Sequence, residues 1–477
     1  MADTLAPKLA LARAVGVVSR LRGGGGTSAP GKVLMRLDAG AIGALSARLK
    51  QGSVLVSGTN GKTTTTTMSA SIFARAGVPL VHNQAGANMA GGIATTLLAA
   101  ARPHGAIAGE LGLFEVDEMW LASLAAALRP RAILLANLFR DQLDRYGELE
   151  TIADSWERVL SEGTAELVLN ADDPLVADLG RGRPHALYFG VEDPSLELAD
   201  MAHAADAKHC RRCGSPYAFD AVYLGHLGHY HCPDCGHGRP AAAVSATDVH
   251  LQGVRSARFT LHTPAGEAEI SLALPGLYNV YNALAAAALA TALGVPLAQI
   301  AAGLQATRPA FGRAETVSVS VPSIGHGGAN GSEAATAPHR RELQIMLVKN
   351  PAGANEVLRT LALEAGEHDL LGILNDRIAD GRDVSWIWDA DFELLAGRVR
   401  RASCSGTRAA ELAARLKYAG IEPSRIHVQP DLALALSEAA ADWPGERAPL
   451  YALPTYTAML SLRELLVARG EASSAWS

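Results

Sequence analysis

The sequence predicts an α/β protein that has two domains and a small inserted metal module. Apolar strand-like runs alternate with helical patterns, which is typical of a parallel sheet. A Ser/Gly/Ala/Pro-rich stretch over 319–341 separates this series from a second strand-helix series. Four of the five cysteines form two Cys-x-x-Cys pairs within the first series. We therefore predict a first domain over 1–318, a flexible linker or loop over 319–341, and a Rossmann-like C-terminal α/β domain over 342–477.

The elements of the first domain are predicted from the spacing of apolar residues. An amphipathic helix is expected around 9–18, and a targeting or membrane-surface segment is the alternative there. Segments 255–262 and 267–273 alternate apolar with polar residues and look antiparallel, and 279–307 reads as two Ala-rich helices. The predicted parallel strands are 53–57, 79–82, 105–110, 131–136 and 166–169, with helices around 62–76, 91–101, 116–128 and 151–162. The second domain is expected to begin with a strand at 343–348 and to end with a helix over 456–469.

Composition excludes several classes of protein. A chain of 477 residues is too long for one hydrophobic core, and 49% apolar content with few aromatics suits a helix-rich α/β protein. A formal charge of −6 argues against a general nucleic-acid binder. No uncharged apolar stretch reaches the roughly 18 residues of a membrane span, so no transmembrane helix is expected.

Residues 57–64 read Ser-Gly-Thr-Asn-Gly-Lys-Thr-Thr, between an apolar run and a segment that can continue as a helix. This pattern predicts a phosphate-binding loop, and therefore a site for ATP or GTP. The glycines allow a tight turn with exposed N–H groups, the lysine reaches the outer phosphates, and the first threonine hydroxyl can hold Mg²⁺. A chance Gly-rich turn is the alternative. The predicted nucleotide-binding residues of the loop are Gly58, Thr59, Asn60, Gly61, Lys62, Thr63 and Thr64.

The four paired cysteines are Cys210, Cys213, Cys232 and Cys235, with a glycine after the second member of each pair. Their spacing predicts a zinc ribbon, inserted at about 208–238, whose four thiolates leave no open coordination position. The zinc is therefore expected to be structural. Two disulfides, a redox Cys-x-x-Cys and a nucleic-acid-binding ribbon are the alternatives, and each fits less well.

Several motifs together resemble those of a known enzyme family. Besides the loop over 58–63, they are Asn83-x-x-Gly86-Ala87-Asn88, Asn170-Ala171-Asp172-Asp173, Pro275-Gly276-x-Tyr278-Asn279-x-x-Asn282 and Asn350-Pro351-Ala352. The set resembles the Mur ligases and folylpolyglutamate synthase over most of the chain. The resemblance implies that the first domain is a Mur-ligase-type central ATPase domain.

Three further features distinguish the sequence from those of ordinary Mur ligases. They are the segment Asn137-Leu-Phe-Arg-Asp-Gln-Leu-Asp-Arg-Tyr-Gly147, the four-cysteine ribbon, and Asp380-Gly-Arg-Asp-Val-Ser-Trp-Ile-Trp-Asp389. Ordinary Mur ligases lack the ribbon and the Ser-Trp-Ile-Trp segment. The combination is similar to the MurT family, the ligase-like subunits of lipid II isoglutaminyl synthase, whose partner is the glutaminase GatD.

The resemblance implies an ATP-dependent ligase that amidates the α-carboxylate of D-glutamate in the lipid II stem peptide. The carboxylate is phosphorylated by ATP, ammonia from the glutaminase attacks the acyl phosphate, and D-isoglutamine results. Phosphorylation is needed because a carboxylate at neutral pH is a poor electrophile. The implied setting is the cytoplasm, at the inner face of the membrane and in contact with its surface only, with no nucleic-acid partner.

The resemblance also implies roles for individual residues. Lys62 and Glu115 are expected to be catalytic, with Thr63 and Glu115 as ligands of the ATP magnesium. Asn279 and Asn282 match the adenine-contacting asparagines of the family, and Arg313 matches an arginine near the nucleotide. An acid in the first turn of a helix is the alternative for Glu115, and helix caps are the alternative for the asparagines.

Two positions depart from the Mur pattern. Gln142 stands where ordinary Mur ligases have a metal-binding histidine. Those ligases also use a carbamoylated lysine, and Lys208 is the only lysine of this chain between Lys62 and Lys349. Lys208 lies two residues before the ribbon and suits that role poorly. One catalytic magnesium, or a differently built second site, is therefore expected.

The glutaminase nucleophile is expected to lie on another chain. Cys404, the one cysteine outside the ribbon, is interpreted as a packing residue at a strand end. The family resemblance implies that an aspartate of the C-terminal domain orients the partner's histidine, and Asp383 is chosen over Asp376, Asp380 and Asp389. If their segment is extended, Trp386 and Trp388 lie on the same side of it, facing either the core or the partner.

The sequence is also compatible with two other functions. One is a stand-alone amino-acid ligase of the Mur or folylpolyglutamate type, which would need no partner. The other is a non-catalytic scaffold that binds ATP and uses the ribbon and the Trp segment for assembly.

Overall fold

The computed structural model describes residues 5–21, 28–83, 86–102, 106–141, 149–201, 205–308, 313–321, 340–441 and 448–473. Within these ranges the chain forms a nine-stranded sheet, a six-stranded sheet and a separate two-stranded hairpin.

The larger sheet is parallel over most of its width. Its strand order is β11-β10-β9-β6-β5-β4-β1-β3-β2, in which only the β9–β10 and β10–β11 pairs are antiparallel. The parallel strands are short and fully buried near the centre, as expected for a sheet covered on both faces. The strands are β1 (Ser53–Ser57), β2 (Leu80–His82), β3 (Leu111–Glu115), β4 (Ala132–Leu135), β5 (Glu166–Asn170), β6 (Leu187–Val191), β9 (Val244–Gln252), β10 (Ser256–Thr263) and β11 (Gly266–Leu272).

Helices cover both faces of this sheet. One face is covered by α4 (Lys62–Arg75), α9 (Leu277–Ala292) and α10 (Leu297–Ala306), whose alanines allow α9 to lie close to the strands. The other face carries α1 (Leu5–Leu21), α2 (Ala29–Leu37), α3 (Ala41–Ser46), α5 (Ala90–Ala100), α6 (Leu121–Leu128), α7 (Leu149–Glu162) and α8 (Pro174–Asp178). Each face has its own continuous apolar core.

The cysteine module is inserted between β6 and β9. It contains the antiparallel hairpin β7 (Ala218–Leu224) and β8 (Leu227–His231), which pairs with no other strand of the described chain. The fold class predicted from sequence, an α/β ATPase-type sheet with an inserted ribbon and a second α/β domain, is confirmed.

The second sheet has the order β12-β13-β17-β14-β15-β16. It is parallel except for the β12–β13 pair. Its strands are β12 (Arg313–Ser320), β13 (Arg340–Met346), β14 (His368–Ile373), β15 (Val399–Ser405), β16 (Ile426–Val428) and β17 (Leu450–Pro454). One face is covered by α11 (Pro351–Ala362) and α12 (Ala409–Tyr418), and the other by α13 (Leu432–Ala440) and α14 (Tyr456–Ala468).

The structure differs from the sequence prediction at several boundaries; the helix expected around 116–128, for example, begins only at Leu121. The strand expected at 105–110 lies at Leu111–Glu115 instead, because Gly109 has a φ of 144° and ends any extended run before it. The predicted boundary at residue 318 falls inside β12, which pairs with β13, so we propose that the second domain begins near residue 313. The ends of the expected loop, 319–320 and 340–341, belong to these two strands, and 322–339 lies outside the described residues.

Among the described residues, no helix combines the length and apolar character needed to cross a bilayer.

Candidate active site and metal centre

The loop between β1 and α4 requires glycine at two positions. Gly58 and Gly61 have φ angles of 144° and 82°, which other residues rarely adopt. A Cβ on Gly61 would lie 1.9 Å from Asn282 Oδ1. Asn137, just after β4, accepts a hydrogen bond from Asn60 N (2.8 Å) and donates one to Asn60 O (3.1 Å). The loop is thus held rigidly at the N-terminus of α4, where backbone N–H groups favour anions.

Lys62 lies folded against this loop. Its Nζ donates to Gly58 O (2.6 Å), Thr59 O (3.2 Å) and Glu118 Oε1 (2.9 Å). Burial acts against its charge, but the carboxylates of Glu118, Glu115 and Asp141 raise the pKa of Lys62 above its ordinary value. The side chain is therefore a permanent cation beside the phosphate-binding loop.

Thr63 and Glu115 form an oxygen pair at the start of α4. Thr63 Oγ1 donates to Glu115 Oε2 at 2.8 Å, and Asn88 Nδ2 lies 3.4 Å from Glu115 Oε1. Asn83 fixes the Glu115 backbone with two hydrogen bonds of 2.9 Å. A hydroxyl and a carboxylate side by side are ligands that Mg²⁺ prefers, so this pair fits a magnesium ion.

The position of Glu115 excludes the alternative that it is an acid in the first turn of a helix. It is the last residue of β3, and α6 begins only at Leu121, so Glu115 is not an acid in the first turn of a helix. Its side chain is buried, with 4% exposure, and it stands at the C-terminal end of a strand adjacent to β1. Ligand-binding residues in parallel sheets commonly lie at this edge.

Asn279 and Asn282 lie together on the first turns of α9, behind the loop. Asn282 Nδ2 donates to Asn279 Oδ1 (3.1 Å), and Asn282 Oδ1 accepts from Thr65 Oγ1 (3.2 Å). Asn279 Nδ2 donates to Pro275 O (2.7 Å), and neither residue is the N-cap, which is Gly276. Both are buried, and both line the main cavity between the loop and the second domain.

The main cavity, which is partly open to solvent, lies between the loop and the second domain. Asn60, Gly61 and Thr64 line it on one side, and Lys349 and Gly353 on the other. Arg313 begins β12, but its side chain lies outside the described residues, as do all atoms of Gln142.

The two domains meet directly at the loop. Lys349 Nζ donates to Thr59 O (3.0 Å) and to Asp141 Oδ2 (2.7 Å). The side-chain amides of Asn60 and Asn350 are hydrogen-bonded to each other, at 3.0 and 3.4 Å. The C-terminal domain therefore delivers a second cation, Lys349, to the phosphate-binding loop.

The four paired cysteines converge on one point. Cys210 Sγ lies 3.6 Å from Cys235 Sγ, Cys213 Sγ lies 3.4 Å from Cys232 Sγ, and all four sulfurs lie within 4.8 Å of one another. Metal–sulfur bonds of about 2.3 Å in a tetrahedral site would place the sulfurs about 3.8 Å apart. The observed spacing therefore fits a tetrahedral thiolate site.

The two halves of this cluster have the same backbone turn. Gly214 N donates to Cys210 O (2.8 Å) and Gly236 N donates to Cys232 O (3.1 Å), with φ angles of 79° and 70° at the glycines. These turns bring each pair of sulfurs to one side. A metal held here would have protein ligands only, as is typical of structural sites.

The sequence matches two family models and is similar to named proteins of two bacteria. Residues 56–290 match the family model of the Mur ligase middle domain, and residues 347–459 match that of the MurT ligase C-terminal domain. A Staphylococcus aureus (strain N315) protein named "Lipid II isoglutaminyl synthase (glutamine-hydrolyzing) subunit MurT" is 32% identical over 459 residues, which is 96% of each chain. Its Streptococcus pneumoniae (strain R6) namesake is 34% identical over 95% of this chain and 94% of its own length. The chain belongs to the MurT family.

Solved structures agree on the fold of this MurT family member. A pseudomurein peptide ligase type C from Methanothermus fervidus superposes with a TM-score of 0.65 at 22% identity, over 89% of this chain and 80% of that one. MurF from Acinetobacter baumannii gives a TM-score of 0.62 at 19% identity, over 93% and 80% of the two chains. The Mur ligase middle domain implies ATP and Mg²⁺ as ligands of the chain.

In the MurT C-terminal region, the four candidate aspartates have different surroundings. Asp380 is buried and bonds to Thr457 at the start of α14, and Asp376 is held by Thr407 and Arg408. Asp383 is exposed, and a hydrogen bond from Ser385 N (2.8 Å) lowers the pKa of its carboxyl. Asp389 is half exposed and lies 3.8 Å from Arg140.

Trp386 and Trp388 do not share one side, because their segment is not extended. Residues Ser385–Trp388 form a 3₁₀ turn, in which residues two apart point in different directions because the turn has three residues. Trp386 packs on the core of the second domain, whereas Trp388 is 52% exposed beside Tyr418.

Cys404 lies within β15 with no exposed surface, and burial raises the pKa of its thiol to about 12. Such a thiol stays protonated near neutral pH and is a poor nucleophile. The interpretation of Cys404 as a packing residue agrees with this position.

Sequence reasoning missed four residues that shape the site. They are Glu118, Asn137, Asp141 and Lys349. The position of Asn137 was predictable in principle, because it follows a buried strand, and the C-terminal ends of parallel strands share one edge of the sheet. The approach of Lys349 to Asp141 spans 208 residues and had no local signal.

Proposed function

We propose that this chain is the synthetase subunit of a lipid II isoglutaminyl synthase. It would use ATP to amidate the α-carboxylate of D-glutamate in the lipid II stem peptide, giving D-isoglutamine. The observation that carries the proposal is the identity of 32–34% over almost the whole chain with subunits of that name. The geometry supports it, because the phosphate-binding loop and Lys349 line a cavity between the two domains, and Lys62, Thr63 and Glu115 lie on or beside that loop.

The proposed reaction has two steps. A carboxylate oxygen of the D-glutamate attacks the γ-phosphorus of ATP, ADP leaves, and an acyl phosphate forms. Ammonia then attacks the acyl carbon, loses a proton, and expels inorganic phosphate. The first step gathers negative charge on the transferred phosphoryl group, which positioned cations stabilise.

We assign the roles within this reaction as follows. The backbone N–H groups of 58–63 would bind the phosphates, Lys62 would neutralise the outer phosphates, and Asn279 and Asn282 would contact the adenine. Thr63 and Glu115 would hold Mg²⁺, and the bound ion would supply positive charge that stabilises the phosphates. Lys349 would add a second positive charge where the domains meet.

The ammonia would come from a separate glutaminase subunit, GatD. In this chain the one cysteine outside the metal cluster is buried and protonated, so no thiol of the described residues is suited to attack glutamine. Asp383 would complete the partner's catalytic triad by orienting its histidine, because it is exposed and ionised. We place the reaction in the cytoplasm, at the inner face of the membrane, where a lipid-linked substrate and ATP meet.

The four-cysteine cluster would hold a structural Zn²⁺. Changing Cys210 and Cys213 to serine together is expected to release the metal and lower the free energy of unfolding by several kcal/mol, since structural zinc sites contribute folding energy. Metal content by atomic emission and unfolding in urea test this. A metal-free double variant with unchanged stability would contradict it, and Cys404→Ser is the matched control that should keep its zinc.

The amidation itself is tested with the purified chain, ATP, Mg²⁺, lipid II and a high concentration of ammonium. We expect D-isoglutamine in the stem peptide, detected by mass spectrometry, with one ADP released for each amide formed. ADP release without amide, or an amide without ADP, would overturn the proposal.

A further inference from the structure

The β7–β8 hairpin connects the metal cluster to the main cavity. Cys232 follows the last residue of β8, and Leu227 begins that strand, so the two lie about 17 Å apart along an extended strand. Leu224 and Leu227 face each other across the hairpin end and both line the cavity. One short element therefore carries a metal ligand at its base and cavity-lining residues at its tip.

The tip is buried against the segment that holds the phosphate-binding loop. The His226 ring is completely buried and lies 4.5 Å from the Phe139 ring, which also lines the cavity. A Cβ on Gly225 would lie 2.8 Å from Phe139 Cε1, so the tip touches that ring directly. Phe139 N donates to Thr59 Oγ1 of the loop at 3.0 Å.

Asp173 connects the same parts through polar contacts. Asp173 Oδ2 accepts from Leu138 N (2.7 Å) and lies 3.5 Å from His226 Nε2. Neither ring nitrogen of His226 has a hydrogen-bond partner within the described part of the chain. A buried histidine of this kind keeps its place only if the surrounding structure holds it there.

Asp172 connects the segment that follows the second cysteine pair to helix α9, which lines the cavity. Its carboxylate accepts from Arg239 Nε (2.6 Å) and from Tyr281 OH (2.7 Å), and Asp172 O accepts from Gly228 N (3.0 Å). Arg239 lies just after the second cysteine pair, and Tyr281 lines the cavity on α9. The motif Asn170-Ala171-Asp172-Asp173, which has no other role in the proposed mechanism, thus fastens the hairpin to the cavity.

A two-stranded hairpin is only marginally stable alone, so its order must come from its two ends. One end is the thiolate cluster, and the other is the contact with Phe139, Asp172 and Asp173. We propose that the hairpin tip forms one wall of the nucleotide site, so that the metal at its base sets nucleotide affinity. This inference rests on the proposed function, in which the cavity takes ATP.

The first test keeps the metal cluster intact and truncates one side chain at the hairpin tip. Leu227→Ala is expected to raise the Kd for a fluorescent ATP analogue about fivefold, because it removes apolar contact from the wall, with zinc content unchanged. Asp220→Ala, at an exposed position on β7, is the matched control and should leave the Kd unchanged. A folded Leu227→Ala protein with the Kd of the unsubstituted chain would overturn the inference.

The second test uses thermodynamic reciprocity. If Zn²⁺ tightens binding of the ATP analogue by some factor, the analogue must tighten Zn²⁺ binding by the same factor. Competition with a chromophoric chelator, with and without the magnesium-complexed analogue and against a protein-free blank, measures the second factor. Equal factors of about ten are expected. Zinc affinity unchanged by nucleotide would overturn the inference, and an unsubstituted chain that binds no nucleotide would overturn the proposed function with it.

Discussion

Lys62→Ala is expected to abolish ammonium-dependent amidation while the protein stays folded. Lys62 is the cation nearest the loop that would bind the outer phosphates, and its loss removes charge stabilisation from the phosphoryl transfer. Losing one such preorganised group costs about 10²–10³-fold in rate, and a full charge is expected to cost at least that. The rate of ADP release in the presence of lipid II and ammonium measures the effect.

The fold is expected to survive because Glu118 can adjust. Burial already raises the pKa of Glu118, so its carboxyl takes up a proton once the positive charge of the Lys62 side chain is removed. Adding Glu118→Gln to Lys62→Ala should therefore restore any lost stability without restoring turnover. Lys50→Ala, on an exposed lysine, is the matched control and should keep full activity. Amidation retained by Lys62→Ala would refute the role given to Lys62.

Asp383→Asn is expected to remove glutamine-dependent amidation and to leave ammonium-dependent amidation unchanged. The carboxylate would orient the partner's histidine, and losing such an orienting group lowers turnover by about 10⁴-fold in a serine-protease triad. Asparagine keeps the size of the side chain and can still interact with Ser385 N, so the local turn should persist. Both activities are measured in the assembled complex.

The outcomes distinguish a triad residue from a structural one. Asp389→Asn, at an exposed aspartate of the same segment, is the control and should keep both activities. If Asp383→Asn lost both activities, its role would be structural. If it kept both, another aspartate would complete the triad.

The parts of the molecule set by local chemistry were predictable from sequence. The phosphate-binding loop needs glycine where φ is positive, and Gly58 and Gly61 stand there. The four cysteines carry a spacing that few other structures share, and their sulfurs meet as expected. Periodicity placed most strands and helices correctly, since a buried parallel strand and an Ala-rich helix are distinctive patterns.

The parts that depend on distant contacts were not predictable. Lys349 reaches Thr59 only because the second domain packs against the first, and the hairpin tip at His226 reaches Phe139 only in the folded chain. The Ser385–Trp388 segment forms a 3₁₀ turn although its sequence is compatible with a strand. Contacts between residues far apart in the sequence leave no local pattern from which they could be predicted.

The most direct test of the central claim compares nitrogen sources with and without the partner. The purified chain is incubated with ATP, Mg²⁺ and lipid II, and receives ammonium, glutamine, or glutamine with the glutaminase subunit. We predict amidated lipid II with ammonium, none with glutamine alone, and restored amidation when the partner is added. Amidation from glutamine by this chain alone would contradict the two-subunit account.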